Sequence, residues 1–213
     1  MPEKRKRVLV VGAGGFIGSW LVEEALARGL EVWAAVRGST SRRWLGQEGV
    51  HFLCLDFDDP QGMADTLSAF LPAGERWEYV VYNLGATKCL NFADFSRINY
   101  DFLRTFVTAV KDAGLVPDKM LYMSSLSVMG PGDERGFRPF DEKGIPMPNT
   151  RYGASKLKAE MWLATCGIPT VVFRPTGLYG PRDRDYFLMI ESIAKGFDFS
   201  VGMRRQMLTF LYA

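Results

Sequence analysis

The feature that most constrains this chain is the passage from an apolar run, RVLVVG at 7–12, straight into a glycine cluster, GAGGFIG at 12–18. A continuous apolar run of this length predicts a strand buried on both faces. The residues after it, 15–28, carry Phe16, Ile17, Trp20, Leu21, Ala25 and Leu26 on one predicted helix side, closed by Gly29. A strand, a glycine turn and a helix in that order place unpaired N–H groups and about half a positive charge at the helix start. Gly12 allows the tight turn, Gly15 admits close approach of a pyrophosphate, and Gly18 lets helix and strand pack closely. The glycines could instead form a turn without a ligand; the strand-to-helix context favours the anion site. A kinase-type phosphate loop is excluded, because no Gly-Lys-Ser/Thr follows.

The same alternation continues down the chain. Strands are predicted at 31–36, 50–55, 78–84, 119–125 and 169–174. Helices are predicted at 60–70, with proline in the first turn, at 92–113, at 151–166 and at 184–195. In the helix at 92–113, Phe95, Ile98 or Asn99, Phe102, Phe106 and Val110 recur at helical spacing, and Gly114 closes it. This order implies right-handed βαβ units and an α/β fold with a doubly wound parallel sheet. Such sheets bind ligands at the carboxyl ends of their strands. Gly12, Arg37, Asp56, Asn83, Ser125 and Arg174 all end or follow predicted strands. The stretch 126–150 holds four prolines and four glycines and reads as a long functional or mobile loop.

Composition narrows the chemistry. A net charge of +2 over 213 residues gives no bias toward nucleic acid. Cys54, Cys89 and Cys166 are far apart, which suits reduced, packed thiols in a cytoplasmic protein. His51 is the only histidine, so neither a zinc site nor a Ser-His-Asp triad is expected. The basic cluster at 4–7 before an apolar run has the outline of a secretory signal. Four interrupting glycines and Glu23-Glu24 read against it, and the cluster is expected to be a solvated lead-in to the first strand. No segment reaches the roughly 20 apolar residues of a membrane span.

The second strand ends in AAVRGSTSRR, with no acidic residue to accept hydrogen bonds from adenine ribose hydroxyls. Arg37, followed by Arg42 and Arg43, offers a guanidinium fork to a 2′-phosphate, which favours NADP, with NAD as the alternative. Arg37 could also stack on adenine, or the arginines could cover a solvated helix. At 151–160, RYGASKLKAE places Tyr152 and Lys156 one turn apart on one helix face. Such pairs are common and ordinarily inert. Beside a dinucleotide, an ammonium about 4 Å from the phenolate contributes roughly 4 kcal/mol at an effective dielectric of 20. That equals about 3 pKa units, enough to make a tyrosine a usable base.

Together GAGGFIG (12–18), LDFDD (55–59), YNLGA (82–86), RINY (97–100), YMSSLSVMG (122–130), YGASK (152–156) and RPTGLYGP (174–181) make the chain similar to a known family. It resembles the extended short-chain dehydrogenase/reductases, the NAD(P)-dependent epimerase/dehydratase family, with a Rossmann-type sheet. The resemblance runs from about residue 7 to the end. It implies Tyr152 as acid/base, Lys156 as its partner and holder of the nicotinamide ribose, and Ser125 as donor to the substrate oxygen, with Ser124 as the alternative serine. Asn99 would sit mid-helix near the lysine. Phe16 and Ile17 join the glycines in the cofactor set. Asp56 would meet the adenine edge with Phe57 beside it, Asn83–Gly85 would line the ribose side, and Pro175 and Thr176 would lie near the nicotinamide.

The resemblance also implies two parts, a cofactor domain over 1–175 and the start of a substrate lobe over 176–213. The strand-like MLTFLYA at 207–213 is where relatives run on into that lobe, so the sequence is expected to be truncated. Gly177 stands where nucleotide-sugar members commonly carry an asparagine, and Val128-Met129-Gly130 replaces their VYG. Both departures favour simple oxidoreduction of a carbonyl or alcohol over sugar-nucleotide epimerisation or dehydration. A non-catalytic NADP-binding module is the reading from another class; it would need none of Ser125, Tyr152 and Lys156. Homodimerisation through the helices at 92–113 and 151–166 is a further implication, although their phenylalanines suit simple burial equally.

Overall fold

A computed structural model describes residues 5–133, 135–197 and 207–213. Lys4, part of the basic cluster, lies outside the described residues. Six strands form one parallel sheet: β1 (Arg7–Val11), β2 (Glu31–Val36), β3 (Val50–Cys54), β4 (Tyr79–Tyr82), β5 (Lys119–Met123) and β6 (Thr170–Phe173). Their order is β3-β2-β1-β4-β5-β6. Leu9 faces Trp33 on β2 and Val80 on β4, so β1 is central and buried along its whole length. The order reverses direction beside β1, which opens a crevice above its carboxyl end.

The helices are α1 (Phe16–Ala27), α2 (Pro60–Ala69), α3 (Phe92–Ser96), α4 (Phe102–Asp112), α5 (Arg151–Leu163) and α6 (Asp185–Ala194). Local chemistry sets their starts. Asp59 caps α2 by accepting from Gly62 N–H, with Pro60 at the first helical position. Thr150 caps α5 through Gly153 N–H at 2.9 Å. One apolar core, including Leu9, Trp33, Leu53, Trp77, Tyr82 and Phe106, fills one sheet face, and a second, around Val10, Val22 and Ala34, fills the other.

Three expectations are corrected and one open alternative is resolved. The buried face of α1 is Gly18, Ser19, Val22 and Ala25, which shares only Ala25 with the predicted side, because small residues let the helix approach the sheet. The large residues Phe16, Ile17 and Trp20 instead border cavities. The helix predicted at 92–113 is interrupted by a π-helical turn, Arg97–Asp101, which turns Asn99 rather than Ile98 fully inward. Arg7 is no solvated lead-in: it opens β1, is buried, and pairs with Glu31 at 3.2 Å and with Glu75. The cysteines are free, but only Cys166 is buried; Cys54 is exposed.

The phenylalanines at 92–113 make contacts within the chain: Phe102 stacks on Phe57 at 4.9 Å and Phe106 tilts against Tyr82 at 5.4 Å. Beyond the sheet, β7 (Gly177–Tyr179) pairs in parallel with β8 (Phe210–Tyr212), and α6 buries none of its residues. Among the described residues no helix is long and apolar enough to cross a membrane.

Candidate active site

A cleft of about 1120 Å³ lies over the carboxyl ends of the strands. Such a volume exceeds the roughly 300–1,000 Å³ of ordinary small-molecule sites. Gly12, Gly15, Phe16, Ile17, Arg37, Phe57, Asn83, Gly85, Ser125, Tyr152, Lys156, Pro175 and Thr176 line it. Gly18, Asp56 and Asn99 do not. Gly18 lies behind the loop, where a Cβ would stand 2.1 Å from Gly12 O. Asp56 is exposed and its carboxylate accepts from Asp58 N–H at 3.0 Å. Arg42 leaves the cleft to stack over Phe52, while Arg37, Thr40, Ser41 and Arg43 line one end of it.

The loop is shaped for an anion. Gly12 has φ +84°, and a Cβ there would meet Leu84 N at 2.9 Å. Gly15 is the extended N-cap of α1 and no side chain caps the helix, so its first-turn N–H groups keep their capacity for a ligand. These two features, with the arginine and hydroxyl donors at the far end, fit a dinucleotide.

At the other end α5 presents Tyr152 and Lys156. Lys156 is 3% exposed, donates to Met123 O at 2.9 Å and lies 5.0 Å from the centroid of the Tyr122 ring. A Cβ on Gly85 would fall 2.9 Å from Lys156 Nζ and 3.0 Å from Asn99 Oδ1, so a larger residue there would push on both side chains. Asn99 clamps the chain after β4: its Oδ1 accepts from Ala86 N–H at 2.8 Å and its Nδ2 donates to Ala86 O at 3.0 Å. Its Nδ2 also donates to Ser155 Oγ at 2.9 Å, and Ser155 in turn donates to Tyr152 O at 2.7 Å. Asn99 thus holds the backbone on both sides of the lysine.

The two serines have separate partners. Ser124 is buried and donates to Glu160; Ser125 caps the short 3₁₀ turn Leu126–Met129 and donates to Ser127 Oγ at 3.2 Å. Burial pushes the Tyr152 phenol above its ordinary value, and the Ser125 hydrogen bond only partly offsets this. The chain's own groups thus raise the phenol, whereas the expected depression was read for a phenol beside a bound dinucleotide. The Lys156 ammonium is turned to a carbonyl, and burial weakens it: its pKa falls from 10.5 to about 8, against an upward pull from Glu160.

Glu160, Lys88 and Asp185, not singled out from the sequence, complete the site. Glu160, one turn beyond Lys156, is gripped by Arg174 through Nε at 3.1 Å and Nη2 at 2.6 Å. Its i+4 spacing from Lys156 was the available signal; its pairing with Arg174 at the end of β6 was not readable locally. Lys88 and Asp185 pair at 2.6 Å between two cleft walls. Gly177 is packed under Tyr186, where a Cβ would fall 2.3 Å from the hydroxyl oxygen. Among the described residues no group of three or more His, Cys, Asp or Glu side chains could hold a metal ion.

A doubly wound sheet with a glycine-lined crevice at its reversal point defines a Rossmann-type dinucleotide-binding protein. The family model described as the NAD dependent epimerase/dehydratase family matches residues 8–213, and the chain belongs to that family. Sterol-4-alpha-carboxylate 3-dehydrogenase, decarboxylating, of Bos taurus is 27% identical over 218 residues, covering 98% of this chain and 57% of that protein. The chain thus spans little more than half the length of this curated relative. The UDP-glucose 4-epimerase of Thermus thermophilus, solved in complex with NAD, superposes with a TM-score of 0.79 at 25% identity, covering 97% of this chain and 70% of that one. The UDP-glucose 4-epimerase of Thermotoga maritima, solved with UDP-glucose, has the same TM-score at 21% identity, covering 97% and 69%.

Proposed function

We propose that this chain carries the cofactor and proton-transfer half of an NADP-dependent oxidoreductase acting on a carbonyl or alcohol substrate. The observation that carries this reading is that Ser125, Tyr152 and Lys156 line the same cleft as the uncapped start of α1. Gly12, Gly15 and the α1 N-terminus would hold the pyrophosphate; Arg37, with Thr40 and Arg43 beside it, would hold a 2′-phosphate. Lys156 would reach the ribose: Met123 O accepts from one of its three N–H bonds, leaving donors for a hydroxyl. The bound dinucleotide supplies the hydride acceptor or donor.

The residues of the chain supply the proton. In reduction, Tyr152 donates its phenolic proton to the substrate oxygen, and burial keeps that proton in place at neutral pH. Ser125 donates a hydrogen bond to the same oxygen as negative charge develops there. The phenolate left behind is stabilised by the buried ammonium of Lys156; in oxidation that phenolate takes the proton of the alcohol oxygen as hydride leaves the carbon for the dinucleotide. Asn99, Glu160 and Arg174 hold these groups in position without touching the reacting atoms.

Sugar-nucleotide epimerisation is the second reading, supported by the resemblance to the Thermus UDP-glucose 4-epimerase. The packing of Gly177 under Tyr186 weighs against it, since an asparagine there would displace the Tyr186 side chain. The test is NADPH consumption over a panel of ketones and aldehydes, with and without Tyr152→Phe. Turnover that falls about a hundredfold or more in the variant supports the proposal. An unchanged rate overturns the role of Tyr152, and tightly retained cofactor without net turnover favours the epimerase.

A further inference from the structure

Arg182 is one of two non-glycine residues with positive φ among the described residues, at +78°. That backbone is costly for any side chain with a Cβ and persists only where the surroundings over-determine it. The side chain shows what does so. Its guanidinium lies 4.0 Å from the ring centroid of Trp20 and 5.0 Å from that of Trp44, between the two indoles. Nη1 donates to Ser19 Oγ at 3.0 Å and Nη2 pairs with Glu23 Oε1 at 2.5 Å. The side chain is 12% exposed. Trp20 Nε1 also donates to Pro181 O at 3.2 Å.

These contacts tie distant parts of the chain together. Ser19, Trp20 and Glu23 belong to α1, the helix that opens at the glycine loop. Trp44 follows β2 and carries the guanidinium of Arg43 on its ring at 4.7 Å, so it belongs to the segment read as the 2′-phosphate site. Three residues on, Asp185 pairs with Lys88, which follows β4. The strap from Gly180 to Asp185 is therefore pinned on the β2 side and on the β4 side of β1, whose carboxyl end carries the glycine loop. Arg182 and Asp185 both line the cleft.

The geometry points to Arg182 as a cofactor-retention residue: it clasps the strap to α1 and to the β2–β3 segment, and a bound dinucleotide leaves only when that clasp opens. This rests on the reading of the cleft as a dinucleotide site. The exposed Lys88–Asp185 pair is worth little in water and yields first. The stacked, forked guanidinium is the stronger anchor, with two aromatic faces and two polar partners. The guanidinium of Arg182 is engaged by the chain itself, so its action is on the residence time of the cofactor.

The test is a chase experiment with the whole chain. NADPH and, in parallel, NADH are bound, then displaced by excess oxidised dinucleotide while reduced-nicotinamide fluorescence is followed. In Arg182→Gly the side-chain anchors are lost but the strained backbone is relieved. Release accelerates about tenfold or more while the thermal midpoint of the free protein stays within about 2 °C of the wild type. Arg182→Lys keeps the charge but not the planar fork, and releases at an intermediate rate. A wild-type release rate in both variants overturns the clasp while leaving the dinucleotide site standing. Should Arg182→Gly fail to fold, Arg182→Lys decides alone, and wild-type release in it is fatal. Absence of binding of either dinucleotide to the wild type removes the site itself, and the clasp with it.

Discussion

The carboxylate of Glu160 stands one helical turn beyond the ammonium of Lys156, and both are buried beneath the cleft, at 7% and 3% exposure. Two opposed effects act on the lysine there. Burial drives its proton off and Glu160 holds it on, with burial the larger. Arg174 and Ser124 fix the carboxylate in turn. The charge state of the proposed proton-transfer partner therefore depends on a network behind it that meets no substrate.

Glu160→Gln tests that network. It removes the counter-charge of Lys156 and leaves Arg174 with a neutral partner. The lysine titration, followed by heteronuclear NMR, is expected to move below about 8. Since Arg174 is partly exposed, the loss of stability is about 2–3 kcal/mol rather than the full cost of a broken buried pair. Urea unfolding measures it.

Lys156 also sets a pH dependence of folding. Its folded pKa, about 8, lies below the 10.5 of an ordinary lysine. Between those values the unfolded chain binds the extra proton, so stability rises with pH across that window. Below pH 8 both states are charged and a penalty of about 3 kcal/mol is constant. Denaturant unfolding of wild type and Lys156→Met from pH 7 to 10.5 is expected to show this rise as the difference between the two proteins. A flat difference would contradict the burial of a titrating lysine.

Gly18→Ala is expected to damage fold and anion site together. The added methyl would stand 2.1 Å from Gly12 O and 2.8 Å from the Ala13 Cα, both backbone atoms that cannot rotate away. A loss of about 1–3 kcal/mol follows from forced displacement of the loop. Calorimetry and NADPH titration on the same sample should show both defects.

Arg37→Asp addresses cofactor choice without touching the core, because Arg37 is exposed at the end of β2. A carboxylate there repels a 2′-phosphate and accepts from ribose hydroxyls. The ratio of NADPH to NADH affinity is expected to fall by about tenfold or more at low salt, with the thermal midpoint unchanged. Equal ratios in wild type and variant would remove the arginine from the cofactor site.

The fold was legible because its signals are local. The apolar run at 7–12, the glycine spacing after it and the proline at 60 each specify an element from neighbouring residues. Faces were less legible than elements. The large residues of α1 read as its buried side, yet small ones took that side because the helix lies close to the sheet. The spacing at 92–113 left Ile98 and Asn99 as alternatives, and the π-helical turn at Arg97–Asp101, which adds a residue to the repeat, decided for Asn99. In the site, the glycines, Tyr152, Lys156 and Ser125 were visible as a motif series. Arg174 was visible only as a strand-end residue and Arg182 not at all, since their partners lie 14 and about 160 residues away.

What the sequence alone determined was the order of strands and helices, the glycine loop at the first helix, and the placing of Tyr152 and Lys156 on one face of α5. Those follow from interactions within a few residues. What only the tertiary structure decided was the sign of each group's proton affinity and the identity of its anchors. A phenol that adjacency alone would acidify is held above its ordinary value, and a strained arginine is locked between two indoles. Both outcomes depend on which distant side chains exclude water and supply charge, and folding alone brings those neighbours together.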